Sequence, residues 1–359
     1  MGIRHLIDFS NIDVARWNEL AKLTNEIIDS PQDFASACKG KVLATLFYEP
    51  STRTKFSFQT AMLRLGGSYI GFDNAENSSV SKGETLRDTI KIVNNYADII
   101  AMRHPYEGAA YAATLYSSTP VINAGDGGHM HPTQTLADLT TMMREKGTLE
   151  GLKIGICGDL KYGRTVHSLL KAMSLFKNNK FYLISTESLS TPKYIIDEIV
   201  KSGNSYVECD SLDKYIDEFD CLYMTRIQQE RFASEEEYLA QKGIFVLDEA
   251  KMKKARKDLI IMHPLPKIDE ITDEVDFDPR ALYFKQAKYG MYARMALIKT
   301  LLSEDFELPE RPALSNLNNV FCSNHKCITR LEPNLPAQFG GEEGARFCKY
   351  CDFEAIEWR

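Results

Sequence analysis

Apolar positions along this chain fall into short runs separated by stretches with helical spacing. Val42 to Phe47, Ser68 to Phe72, Asp98 to Met102 and Pro120 to Asn123 are predicted as strands. The amphipathic segments between them, Lys55 to Leu65 included, are predicted as helices, and that alternation implies parallel βαβ units. After a helical stretch from Thr133 to Lys146 the rhythm restarts, with strands predicted at Leu152 to Cys157, Phe181 to Ser185, Tyr206 to Cys209, Cys221 to Met224 and Leu259 to Met262. Two parallel-sheet α/β domains of similar size are therefore expected. A last helix is predicted over Ala287 to Leu302, and the prolines of Leu308-Pro309-Glu310-Arg311-Pro312 mark a linker to a separate C-terminal module.

Asn74 to Lys82 breaks the pattern, being polar and without period; a loop of that length inside a compact domain is more often functional than idle. A chain of 359 residues is long enough for two full cores. Asp and Glu outnumber Lys and Arg by 50 to 43, a net charge of -7, which argues against a nucleic-acid or membrane partner. No long apolar stretch opens the chain, so neither a signal peptide nor a membrane anchor is expected. Cys38, Cys157, Cys209 and Cys221 lie singly within strand or helix patterns, the usage of reduced thiols in a cytoplasmic protein.

Candidate chemistry gathers where strands turn into helices. Ser51-Thr52-Arg53-Thr54 follows the first predicted strand, so hydroxyls, a guanidinium and the free N–H groups of a helix start meet in one place suited to an anion. An ordinary N-cap is the alternative. Met102-Arg103-His104-Pro105, Gly158 to Arg164, Thr225-Arg226-Ile227-Gln228 and His263-Pro264-Leu265-Pro266 likewise follow strands, and His131-Pro132-Thr133-Gln134 opens a helix. In open α/β sheets, ligands bind at such carboxyl ends. Gly155, Gly158 and Gly163 do not fit a dinucleotide fingerprint.

Together with Lys82-Gly83-Glu84-Thr85, these motifs closely resemble the catalytic chain of the aspartate carbamoyltransferase family, in order and spacing, over roughly residues 1 to 305. The resemblance implies a carbamoyl-phosphate-binding domain at 1–135, completed by a helix at 286–305, and an aspartate-binding domain at 136–285. It implies phosphate binding by Ser51, Thr52, Arg53, Thr54 and Arg103, and contacts to the carbamoyl group from Thr54, His131 and Gln134. Aspartate would be held by Arg164, Arg226 and Gln228, with Leu265 and Pro266 beside its amine. Ser78 and Lys82 would come from a neighbouring subunit, Lys82 as a phosphate-binding lysine that also contacts aspartate, making the working form a trimer or a multiple of trimers. Glu49 and Arg231 would serve domain closure. No catalytic cofactor is implied. Arg164, Arg226 and Arg231 suit a dicarboxylic acceptor, whereas ornithine would want a carboxylate there. A carbamoyltransferase with another amino acid acceptor and a non-catalytic scaffold of the same fold are the competing readings.

The C-terminal stretch carries its own signal. Cys322 and Cys327 are paired at one spacing, Cys348 and Cys351 at another, as in a four-thiolate zinc site, with the linker at 306–312 and the module at 313–359. His325 is read as a solvated side chain. A thin apolar core makes structural zinc important for folding such a module. Its sequence resembles the zinc domain of the same family's regulatory chain, but no nucleotide-binding allosteric domain accompanies it, so a contact-making role is expected.

Overall fold

The computed structural model describes residues 5–9, 12–227, 232, 234–303, 314–315, 317, 319–332 and 334–357. Gln228, Arg231 and the linker lie outside the described residues. The chain divides into two compact units, 1–133 with 291–359, and 134–290.

In the first unit α1 (Val14–Asp29) precedes β1 (Val42–Phe47), α2 (Thr52–Arg64), β2 (Ser68–Phe72), α3 (Leu86–Val93), β3 (Ile99–His104), α4 (Ala109–Thr114) and β4 (Val121–Asp126). The four strands form one parallel sheet in the order β2-β1-β3-β4. Successive connections leave β1 in opposite directions, so the crevice between β1 and β3 is the sheet's switch point. Phe47 pairs with Arg103 at its carboxyl edge, and the Tyr48 amide donates to the Arg103 carbonyl at 2.9 Å. The chain passes between units within α5 (Pro132–Lys146), whose first-turn proline has no amide to leave unpaired.

The second unit contains β5 (Lys153–Cys157), α6 (Arg164–Met173), β6 (Lys180–Ile184), α7 (Lys193–Lys201), β7 (Ser205–Cys209), β8 (Cys221–Met224), α8 (Glu235–Leu239), α9 (Glu249–Lys254) and β9 (Ile260–Met262), and the chain leaves it within α10 (Tyr283–Leu302). Its five parallel strands run β7-β6-β5-β8-β9, with the switch point between β5 and β8. There the Thr225 amide donates to the Cys157 carbonyl at 2.9 Å, and a side chain at Gly158, φ 124°, would collide with the Thr225 carbonyl. β8 is buried throughout and β5 from Ile154 onward, as expected of parallel strands covered on two faces.

The C-terminal residues form short antiparallel pieces, β10 (Leu314–Ser315), β11 (Val320–Cys322), β12 (Gln338–Gly340), β13 (Phe347–Cys348) and β14 (Ala355–Glu357), in sheets β10-β12-β13 and β11-β14. The sequence sets this module apart; in the fold it packs on the first unit. The buried alanines of α4 present a low surface, and Ala109, Ala110, Ala112 and Ala113 share one core with Cys322, Ile328, Phe339, Cys348 and Tyr350. Gly108, φ 82°, lies so close that a Cβ would meet the Tyr350 carbonyl at 2.5 Å. Burial of these groups gives the small module the apolar partner that its own few residues cannot supply.

Candidate functional site

Most of the helices with a polar cap residue bond it to their own amides: Asp13 accepts from Arg16, Thr85 from Asp88, Ser234 from Glu237 and Asp248 from Lys251. Ser51 occupies the cap position of α2 without doing so. Its hydroxyl is thus not spent on capping, and the positive end of the helix dipole remains available to an anion. Thr52 and Arg53 are exposed in the first turn and Thr54 is buried.

Arg103 comes from the carboxyl end of β3 and His131 from the residue before α5. The two meet over Gly125, φ 119°: a Cβ there would lie 3.2 Å from Arg103 Nη1 and 3.6 Å from His131 Nε2. Glycine at this position keeps open a cradle floored by a guanidinium and an imidazole. Burial pulls the Arg103 guanidinium down from its ordinary value, offset by Glu49, whose Oε1 lies 2.7 Å from Nη2. Glu49 is therefore engaged within its own unit. His104 beside it is pushed down to about 4 by burial, so the neutral ring accepts from the Tyr106 amide at 3.1 Å. Buried Arg294 of α10 donates to Ser57 in the second turn of α2 and to the Thr133 carbonyl in the first turn of α5, both at 3.1 Å, joining the two helices that follow the candidate groups.

Ser78 joins two consecutive 3-10 turns, Ala75–Asn77 and Ser79–Lys82, and Lys82 ends the second; the Ser78 hydroxyl donates to the Ala75 carbonyl at 2.8 Å, and Lys82 is exposed. In the second unit Arg164 opens α6 after β5 and Arg226 follows β8, both half-buried at the switch point. Leu265 has φ 56°, and its amide donates to His263 Nδ1 at 2.7 Å while His263 Nε2 pairs with Glu270 at 2.6 Å. Pro266 next to it is exposed. Gln134 donates its Nε2 to buried Asp138 at 2.8 Å, and Asp138 also accepts from Gln286 at 2.6 Å. Gln286 in turn accepts from the His263 amide at 3.0 Å, so the Gln134 side chain and the Leu265 loop share one network.

Sequence reasoning missed the groups that hold these side chains. Asp126 accepts from the Gly108 amide at 2.7 Å and pairs with His129 Nδ1 at 3.0 Å; His129 Nε2 pairs with Asp352 of the cysteine module, also at 3.0 Å. The glycine-rich Gly125-Asp126-Gly127-Gly128 run after a strand was the available signal, and Asp138, one helical turn beyond Gln134, was another.

Cys322, Cys327, Cys348 and Cys351 are buried with their sulfurs all within 4.8 Å of one another. The Cys322–Cys351 and Cys327–Cys348 separations are 3.4 and 3.8 Å, near the roughly 3.8 Å edge of a tetrahedron built on ~2.3 Å zinc–sulfur bonds. The Thr329 hydroxyl donates to Cys327 Sγ at 3.2 Å and the Asn324 amide to Cys322 Sγ at 3.4 Å, contacts that favour thiolates. His325 is exposed, outside the cluster.

Comparison with known proteins covers most of the chain. Residues 4–144 match the family model described as aspartate/ornithine carbamoyltransferase, carbamoyl-P binding domain, and residues 150–301 the Asp/Orn binding domain of the same family. The aspartate carbamoyltransferase catalytic subunit of Clostridium perfringens is 59% identical over 302 residues, covering 84% of this chain and 98% of that protein. The catalytic subunit of M. jannaschii aspartate transcarbamoylase superposes with a TM-score of 0.79 at 47% identity, covering 84% and 99%. Trypanosoma cruzi aspartate transcarbamoylase in complex with carbamoyl phosphate and aspartate gives 0.75 at 37% identity, covering 82% and 94%.

His129 is buried, which lowers its basicity, yet the carboxylates of Asp126 and Asp352 outweigh this and raise it to about 10 from 6.5. The folded value exceeds the unfolded one, so the stabilisation is complete below about pH 6.5 and is lost as pH rises through about 10. Melting temperature should fall across that alkaline window, and His129→Gln should flatten this component; an identical slope in the variant would contradict the assignment.

Proposed function

This chain belongs to the aspartate/ornithine carbamoyltransferase family, and from that membership we propose that it works as the catalytic chain of an aspartate carbamoyltransferase. It transfers the carbamoyl group of carbamoyl phosphate to the amine of L-aspartate, giving N-carbamoyl-L-aspartate and phosphate, the committed step towards pyrimidines. The observation that carries this reading is the approach of Arg103 and His131 over Gly125 at the carboxyl edge of the first sheet.

Ser51, Thr52, Arg53, Thr54 and Arg103 hold the phosphate. Thr54 and His131 donate towards the carbamoyl oxygen, where negative charge grows as nitrogen attacks. Gln134, with its amide nitrogen committed to Asp138, offers its carbonyl oxygen to the carbamoyl amine. Arg164, Arg226 and Gln228 hold the aspartate carboxylates, and the Leu265 carbonyl, with Pro266 beside it, steadies the amine. The carbon–nitrogen bond forms as the carbon–oxygen bond to phosphate breaks, and the departing phosphate takes the amine's proton. Positioning and preorganised donors supply the catalysis, with no covalent intermediate and no cofactor in the step. Phosphate claiming Arg103 releases Glu49, which then serves closure; its expected partner Arg231 lies outside the described residues.

Ser78 and Lys82 are assigned to a neighbouring copy's site in a trimer. In support, the unit that carries the exposed Lys82 also leaves apolar side chains uncovered, Tyr69 and Ile70 on the edge strand β2 and Phe56 and Leu63 on α2. We assign structural zinc to the four cysteines, which would hold it as thiolates in a closed site. A cytoplasmic setting fits the free state of all the described cysteines, and among the described residues no helix is long and apolar enough to cross a membrane.

A bisubstrate phosphonate–aspartate analogue should bind tightly to the wild type and roughly a hundredfold more weakly to Arg53→Ala; calorimetry giving equal affinities would sink the anion assignment. Mixing the inactive Lys82→Ala and Arg53→Ala proteins under conditions of subunit exchange should restore about a quarter of wild-type activity, since that share of shared sites regains both groups. No recovery despite exchange would mean that Lys82 serves its own chain. Stripping zinc with a chelator should lower the melting temperature and expose four thiols to a thiol reagent, while kcat changes less; unchanged melting after complete removal would refute a structural metal.

A further inference from the structure

Three polar tethers run from the cysteine module to the rest of the first unit, and each ends a few positions from a residue assigned above to the carbamoyl phosphate site. Glu332 Oε1 accepts from the Leu86 amide at 2.7 Å, where α3 begins four positions beyond Lys82. Asn324 donates to the buried Glu107 carboxylate at 2.6 Å, and the Glu107 amide and carbonyl bond to Lys326 and Ile328, both at 2.9 Å; Glu107 is four positions beyond Arg103. Asp352 Oδ2 lies 3.0 Å from His129 Nε2, two positions before His131.

The last two tethers end on a single ordered body. The Gly127 amide donates to the His104 carbonyl at 2.8 Å, the Gly128 amide to Glu107 Oε1 at 3.1 Å, and Asp126 binds both the Gly108 amide and His129. Through these bonds the module grips the loops that follow β3 and β4 together, the loops from which Arg103 and His131 reach Gly125. Apolar contact with α4 already fastens the module down, so the tethers are not needed for attachment. Buried Glu107 and His129, and half-buried Glu332 and Asp352, are costly to withdraw from water unless their partners are ordered, so the tethers bring order to the segments on which they end.

We propose that the four-cysteine module is a positioning brace for the carbamoyl phosphate site, holding the segments that bear Lys82, Arg103 and His131 in the arrangement an incoming carbamoyl phosphate needs. Glu332, Asn324 and Asp352 are positioning residues and touch no substrate. Preformed cationic groups bind an anion without an ordering cost, so the brace acts first on carbamoyl phosphate affinity and reaches the chemical step only through His131. This rests on the phosphate assignment made above; with Lys82 serving the neighbouring chain, the Glu332 tether acts on that chain's site and the other two on the chain's own.

The test uses the full-length, zinc-loaded enzyme with Glu332→Ala, Asn324→Ala and Asp352→Ala, singly and together, titrated with inorganic phosphate and assayed for both substrates, with Arg53→Ala alongside. In the triple variant the Kd for phosphate and the KM for carbamoyl phosphate should rise together, on the order of tenfold. The kcat and the KM for aspartate at saturating carbamoyl phosphate should change far less than these. Glu332→Gln, which keeps an acceptor oxygen facing the Leu86 amide, should match wild type where Glu332→Ala does not. Normal phosphate affinity in the triple variant, beside an impaired Arg53→Ala, overturns the brace, as does a loss confined to kcat. Normal phosphate binding by Arg53→Ala overturns the phosphate assignment itself. Should the triple variant fail to fold, the single variants and the Glu332 pair decide by the same readings.

Discussion

The buried carboxylate of Asp126 accepts four donors: the Asn123 side chain and the Met130 amide on one oxygen, the Gly108 amide and the His129 ring on the other. A carboxylate taken out of water is costly unless its lone pairs are filled, so each of those partners is held in place by the others. Asn123 and Met130 fix the end of β4 and the turn into α5, from which His131 projects. Gly108 fixes the start of α4 and the return from β3, from which Arg103 projects. Through His129 the same group reaches Asp352 and the cysteine module. One acid thus ties the sheet edge, the candidate anion cradle and the C-terminal module together.

Around that tie the two sheets repeat one solution. Each is parallel, each has its switch point between two adjacent buried strands, and each carries arginine at the carboxyl edge beside that crevice. Parallel strands deliver every carboxyl end to the same side, so loops far apart in sequence converge there without further design. In the first unit the gathered groups are a helix N-terminus with an unspent serine, Arg103 and His131. In the second they are Arg164, Arg226 and a Leu265 loop shaped by the His263–Glu270 pair. The first set suits an anion such as phosphate and the second a dicarboxylate, consistent with a family that joins the two.

The module's position shows how a fold with few apolar residues of its own is stabilised. Its four cysteines form the centre, and its outer face completes its core with the alanines of α4. Alanine is short enough to let the Tyr350 backbone come down on Gly108, a contact any larger side chain would block. The cysteine cluster and the docking are thereby linked: Asn324, which binds Glu107 with its side chain, also points its backbone amide at Cys322 Sγ.

Period and composition were enough to locate β1, β2 and β8 to the residue, because a parallel strand must be apolar on both faces and must end where polar chemistry begins. The motifs Ser51 to Thr54, Arg103, His131 and the cysteine spacing were legible for the same reason: each is a local run with its own chemistry. Some boundaries were not. β3 continues to His104 and β4 to Asp126, polar residues that local pattern assigns to loops, because Arg103 pairs with β1, His104 pairs with Asp126, and bonds to neighbouring loops outweigh propensity there. The partners of buried charge were illegible altogether. Nothing near Glu49 announces Arg103, nothing near His129 announces Asp352, and nothing near Gln134 announces Gln286. What the sequence determined by itself was the set of elements and reactive groups, since these depend on neighbours along the chain. Which groups meet, and which carboxylate holds each of them, was decided only by the tertiary structure, because burying a charge requires a partner that the chain must bring from far away.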